Sequence, residues 1–196
     1  MARYAALLSA VNVGGRRVPM AQLRELLGEL GYTGVQTYLA SGNAVFTVPR
    51  NEVPGDEGPA ASGNGTEAGL GARISDALRS AVGFAVPVVV RDAAYLQAVI
   101  AQCPFPAHEV EGKQLHAVFY AEPVAEERYA DVDPGRFLPE EFRLGDRVMY
   151  LYLPGGMGRS PLAAALAKPA GRLKGLVATG RNWNTVKALA ELTAAG

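Results

Sequence analysis

Two continuous apolar runs, residues 4–11 and 115–121, each open the same succession of hydrophobic periods, and that order restricts the fold more than any single motif. After the first run, Met20, Leu23, Leu26, Leu27 and Leu30 recur at helical spacing over 19–30. Pro19 suits the first turn of such a helix and Gly31 its end. Residues 35–40 and 44–48 flank Ser41, Gly42 and Asn43, which predicts a hairpin. A helix over 69–82, a strand over 86–91 and a trailing helix over 93–102 complete the first half. The second half repeats the order: strand 115–121, short helix 124–130, and hairpin strands 141–144 and 147–153 about Gly145 and Asp146. Helix 160–168 opened by Pro161, strand 172–178 and a final helix 183–194 led by Trp183 follow.

Each half therefore reads β-α-β-β-α-β, the split βαβ order. The expected fold is α+β, with two ferredoxin-like halves, each an antiparallel sheet with helices packed on one face. That topology makes the first and third strands central, and these are the most continuously apolar strands of each half. The halves are placed at residues 1–103 and 104–196. Residues 51–67 are dominated by Gly, Pro, Ala, Asn and acids and cannot bury enough apolar area to offset their ordering entropy. They are read as a mobile insertion within the first half. No residue-level repeat between the halves is discernible, so a duplication is a matter of topology alone.

Composition sets outer limits. With 49% hydrophobic and 19% charged residues the chain has the make-up of a globular protein with a buried core. The single cysteine, Cys103, rules out an internal disulfide or a Cys-rich zinc site, so a reducing cytoplasm is the expected location. It shares a helical face with Leu96, Val99 and Ile100 and is read as an inert buried thiol. The apolar run at 5–11 meets Asn12, Gly14, Gly15, Arg16 and Arg17, unlike a secretory signal. The longest later run, 81–90, is interrupted by Gly83 and Pro87 and reaches about half of the roughly 20 residues a membrane helix needs. No membrane span is expected. His116 falls in a predicted central strand and His108 in a loop; neither fits a catalytic triad or a metal spacing, and no cofactor is read.

Three stretches carry a resemblance: Ala6-Leu7-Leu8-Ser9-Ala10-Val11-Asn12-Val13-Gly14-Gly15 running to Val18-Pro19-Met20, Thr37-Tyr38-Leu39-Ala40-Ser41-Gly42-Asn43, and Thr179-Gly180-Arg181-Asn182-Trp183-Asn184-Thr185-Val186. A fourth runs from Gly145 to Tyr150 with Pro154, Gly156, Gly158 and Ser160. Together they resemble the hallmark segments of an uncharacterised bacterial family, domain of unknown function 1697. The resemblance implies a two-part α+β fold and brings no activity, cofactor or catalytic residue. Ser9-Ala10 stands where the family usually has Arg-Gly, the loop before Val18 is one residue shorter, and Pro161 stands where a lysine often follows the serine. Any role of those family bases is missing here.

The same stretches hold the candidate site. Of six asparagines, Asn12, Asn43, Asn182 and Asn184 sit at turns or element ends. They are either turn and cap residues or amides converging on one polar ligand. Asn182 is suited to cap the last helix. Gly14-Gly15 ahead of Pro19 resembles an anion nest, although neither a phosphate-loop lysine nor a dinucleotide spacing is present. Gly155, Gly156 and Gly158 form a second Gly-rich entry, beside Arg159 and Ser160. The candidate ligand contacts are thus Asn12, Gly14, Gly15, Ser41, Asn43, Arg159, Ser160, Arg181, Asn182 and Asn184, with Arg181 as the charged centre. Trp183 is read either as a stacking partner for a base or sugar or, from its spacing with Val186 and Leu189, as core.

Net charge is zero, yet residues 147–190 carry seven bases and no acid, whereas 108–146 carry ten acids against four bases. An uneven field invites an anion to the basic stretch. The favoured expectation is binding of a small anionic or nucleotide-like metabolite in a cleft between the halves, with no reaction assigned. The alternatives are a protein-interaction or assembly module, with a homodimer left open, and an RNA-binding module, disfavoured by neutral charge and the lack of an RNP-like run.

Overall fold

A computed structural model describes residues 2–12, 14–49, 66–168 and 174–195. Most of the expected insertion at 51–67 lies outside them. Its last two residues do not: Thr66 accepts the Gly69 N–H at 3.1 Å and caps a helix beginning at Glu67.

The N-terminal elements are β1 (Ala2–Leu8), α1 (Met20–Glu29), β2 (Thr33–Thr37), β3 (Asn43–Val48), α2 (Glu67–Val82), β4 (Val88–Asp92) and α3 (Ala93–Ala101). Their strands form one sheet in the order β2-β3-β1-β4, with β1 antiparallel to both β3 and β4. First and third strands are central, as the apolar pattern predicts. Tyr4, Ala6, Leu8, Phe46, Val48, Val88 and Val90 pack with Leu23, Leu26 and Leu27 of α1 and Leu70, Ile74 and Leu78 of α2. Burying each such leucine contributes ~2 kcal/mol relative to exposure. The alternate residues Ala5, Leu7, Val45 and Val89 are buried too, and burial on both faces is why these strands read as unbroken apolar runs.

The C-terminal elements are β5 (Leu115–Tyr120), β6 (Glu141–Gly145), β7 (Val148–Tyr152), α4 (Pro161–Leu166), β8 (Ala178–Asn182) and α5 (Trp183–Ala194). Their sheet order, β6-β7-β5-β8, repeats that of the first sheet, again fully antiparallel. Tyr120, Met149, Leu151 and Leu153 pack with Tyr129, Val132 and with Leu162 and Leu166 of α4. The fold is therefore α+β with two ferredoxin-like sheets. The chain divides into two compact units, residues 1–98 with 188–196 and residues 99–187.

Two expectations need correction. The helix placed at 124–130 is a single 3-10 turn, Glu126–Tyr129, followed by a second, Pro134–Phe137, which Asp133 caps by accepting the Gly135 N–H. Between Pro123 and Pro134 only Tyr129 and Val132 are buried, too few to anchor a helical stripe. The strand placed at 172–178 is β8, Ala178–Asn182; residues 172–173 lie outside the described residues. Its inward residues are Thr179 and Arg181 rather than apolar ones, so hydrophobic periodicity does not announce it. Pairing with β5 sets its register instead, Ala117 opposite Arg181 and Tyr120 opposite Ala178.

Candidate functional site

Loop 9–19 leaves β1 through a series of left-handed residues: Ala10 at φ 54°, Asn12 at 57°, Gly14 at 58° and Gly15 at 86°. An L residue other than Gly or Asn resists that region by roughly 1–2 kcal/mol, so the bend is held from outside. Asn12 holds it. Its Oδ1 accepts the Val18 N–H at 3.1 Å, while its Nδ2 donates to the carbonyls of Val18 and Ala40.

The Ala40 contact brings the second candidate stretch to the first. There, Asn43 is fully buried and donates Nδ2 to the Tyr38 carbonyl at 2.9 Å and to Ser41 Oγ at 3.0 Å. Gly42, at φ 79°, lies so close that a Cβ on it would meet Val11 Cγ2 at 2.5 Å and Leu8 Cβ at 2.9 Å. Asn12, Ser41 and Asn43 are thus brought together, and both asparagine side chains serve the loops that carry them. Gly14 and Gly15 are exposed, with nothing within 4 Å of where a Cβ would stand. Exposed Arg16 and Arg17 follow them; Arg16 stands 6.0 Å from the Phe84 ring centroid. Exposed Arg24 donates to Thr37 Oγ1 at 2.9 Å. Segments 9–24, 31–49 and 80–91, which supply all of these residues, contain no Asp or Glu. The arginines of this loop end were not singled out from the sequence.

The remaining candidates belong to the second unit. Ser160 caps α4: its Oγ accepts the Ala163 N–H at 2.8 Å and donates to Glu140 Oε2 at 2.8 Å, which also accepts the Leu162 N–H. Arg159 before it is exposed. Arg181, only 7% exposed, lies in β8 and donates Nη1 to Thr179 Oγ1 at 2.6 Å and to the Gly180 carbonyl at 2.8 Å. Burial pushes its guanidinium down to about 10, still charged at neutral pH. Asn182 caps α5 as expected, accepting the Thr185 N–H and hydroxyl, both at 2.9 Å. Asn184 is exposed beside Gly112, and Trp183 is buried core, 6.4 Å from the Tyr150 ring centroid. Gln114 donates to the Pro154 carbonyl and Trp183 N–H to that of Gly112, so loops 111–114 and 153–156 and the start of α5 share one end of this sheet.

The two halves share one local device at residue level. Arg91, 2% exposed at the end of β4, donates Nη1 to the Val90 carbonyl at 2.7 Å, as Arg181 does to Gly180. Asp92 then accepts the Tyr95 N–H at 2.7 Å, as Asn182 accepts that of Thr185. Each Arg-Asx pair thus closes a strand and caps the helix that follows directly, and each arginine stands opposite an alanine of its central neighbour, Ala5 or Ala117. Arg91 also pairs with Glu67 Oε2 at 3.1 Å, while Glu67 Oε1 accepts the Asp92 N–H.

The other titratable residues form no reactive group. His116 lies in β5 as expected; burial pulls its pKa below the ordinary value, and Nδ1 is buried with no partner among the described residues. Cys103 is half-buried, and burial raises its thiol. Among the described residues no group of three His, Cys, Asp or Glu is placed to hold a metal ion, and no helix is long and apolar enough to cross a membrane.

The sequence pattern of the family described as protein of unknown function (DUF1697) matches residues 1–150. The chain belongs to the DUF1697 family. The match takes in loop 9–19, the 37–43 turn and the start of the 145–160 stretch, while the Arg181-Asn182 stretch lies beyond it. A solved structure, that of conserved bacterial protein SP0830 from Streptococcus pneumoniae, is similar to this DUF1697 chain, with a TM-score of 0.73 and 20% identity over 99% of each chain. At that identity the likeness establishes the fold. Comparison with curated proteins gives no match.

Proposed function

We propose that this DUF1697 protein binds a small anionic ligand, bearing a phosphate or carboxylate as a nucleotide does, at the loop end of its N-terminal sheet. One observation carries the reading: Gly14 and Gly15 present left-handed backbone to open space directly before two exposed arginines. Backbone N–H groups unshielded by side chains, with Arg16, Arg17 and Arg24 nearby and no acid in the contributing segments, favour negative charge. Asn12, Ser41 and Asn43 act here as the frame of the loop. In the second unit, exposed Arg159 and Asn184 are available to a ligand, whereas Ser160, Arg181 and Asn182 are engaged in caps and strand.

A thermal-shift series with inorganic phosphate, nucleotides, sugar phosphates and acyl carriers tests the reading, because a ligand bound to the native state raises its Tm by mass action. The expected result is a rise with phosphate-bearing ligands that Arg16→Ala/Arg17→Ala removes while leaving the unliganded Tm unchanged. A flat response across the series contradicts it and favours an interaction module. Leu39, 56% exposed at the tip of the neighbouring turn, supports that second reading. An RNA module of the stacking type needs an open sheet face, and the central strands bury both of theirs.

A further inference from the structure

In the N-terminal sheet the edge strand β2 is flanked by α1, whose Leu23, Leu26 and Leu27 fill the space beside it. At the same step of the C-terminal order, the segment between β5 and the edge strand β6 holds only the two 3-10 turns, Glu126–Tyr129 and Pro134–Phe137. One turn cannot cover what a ten-residue helix covers. Beside β6 there remains a hollow of about 500 Å³, floored by Tyr129, Val132, Phe142 and Leu144. β6 pairs only with β7, so its outer backbone edge has no strand partner among the described residues. An unpaired edge above an apolar hollow is the geometry of strand addition, in which main-chain hydrogen bonds hold an extended segment and alternate side chains enter pockets.

Charge selects the occupant. Glu126 and Glu127 line the hollow and are exposed. The one base there, Arg143, donates to Glu141 Oε2 at 2.7 Å and to the Phe142 carbonyl at 2.8 Å, and stands 5.9 Å from the Phe105 ring centroid. Its charge is already answered, so the rim presents net negative charge. We propose that β6 and this hollow dock an extended segment of a partner protein in which apolar residues alternate with lysine or arginine. The segment pairs with the free edge of β6 and lays its apolar side chains over Phe142 and Leu144, while its basic residues, turned to the other face, are drawn by the field of Glu126 and Glu127.

Fluorescence anisotropy on the full chain tests this with three labelled probes: an alternating Val-Lys nonapeptide, its Val-Glu counterpart, and the Val-Lys peptide N-methylated on alternate amides. The Val-Lys probe is expected to bind, the other two at least about tenfold more weakly, and Glu126→Lys/Glu127→Lys to weaken the Val-Lys probe by about tenfold. Both substituted residues are exposed, and an unchanged Tm verifies that the variant is folded. Failure of the Val-Lys probe to bind, equal binding of the Val-Glu or N-methylated probe, or undiminished binding to the folded double variant overturns the proposal.

Discussion

Asn12 and Val18 hold one another by two hydrogen bonds, Oδ1 accepting the Val18 N–H at 3.1 Å and Nδ2 donating to the Val18 carbonyl at 3.4 Å. The side-chain amide imitates a strand partner and ties the start of loop 9–19 to its end, where Val18 enters the core. Asn12→Ala removes both bonds and the link to Ala40, and a loss of about 2 kcal/mol is expected. Asn12→Asp keeps the acceptor and loses the donor, so its loss should be the smaller in a urea titration. Equal stability of Asn12→Ala and the parent would show that the loop does not depend on this amide.

Gly42→Ala places a methyl group where Leu8 and Val11 already stand, on backbone at φ 79°. Steric overlap and the left-handed conformation together should cost about 3 kcal/mol. Gly15→Ala serves as the control: it has the same sign of φ but open space around it. Its loss should be the conformational cost alone, about 1–2 kcal/mol, and thermal melts of the two variants separate strain from crowding.

Arg91 is buried and paired with Glu67, so Arg91→Met leaves that carboxylate without its cation. A loss of about 3 kcal/mol is expected, and Arg91→Met/Glu67→Gln should recover part of it. A double-mutant cycle reads the coupling directly.

His116 makes stability depend on pH. Its folded pKa lies below the unfolded value of about 6.5, so the unfolded chain takes up the proton more readily. Stability is therefore full above about pH 6.5 and falls as pH drops from there toward the folded pKa. Urea midpoints of His116→Gln measured across that window should change less with pH than those of the parent.

Much of the fold is legible in the residues, because strands buried on both faces write long apolar runs: 4–11 and 115–121 lead directly to β1 and β5. The last helix is legible to the residue, Trp183 through Ala194, since Asn182 caps it and its apolar spacing is regular. What the residues conceal is polar. β8 buries Thr179 and Arg181, so no periodicity marks it, and the segment expected as the second crossover helix has only Tyr129 and Val132 to bury. The candidate site is legible in part. The meeting of Asn12 with the 40–43 turn is a long-range hydrogen bond that spacing does not encode, and the matching duties of Arg91-Asp92 and Arg181-Asn182 become visible only once each is seen to end a strand.

Gly71 stands in α2 where a Cβ would come within 2.9 Å of the Val88 carbonyl oxygen. The distance from that helix to the sheet is thus governed by an atom the residue does not have, and any larger side chain there acts as a wedge against main chain, which has no rotamer in which to yield. Ordinary helix-building substitutions are accordingly harmful at this one position, and tolerance along α2 is decided by how near the strand runs rather than by helical propensity.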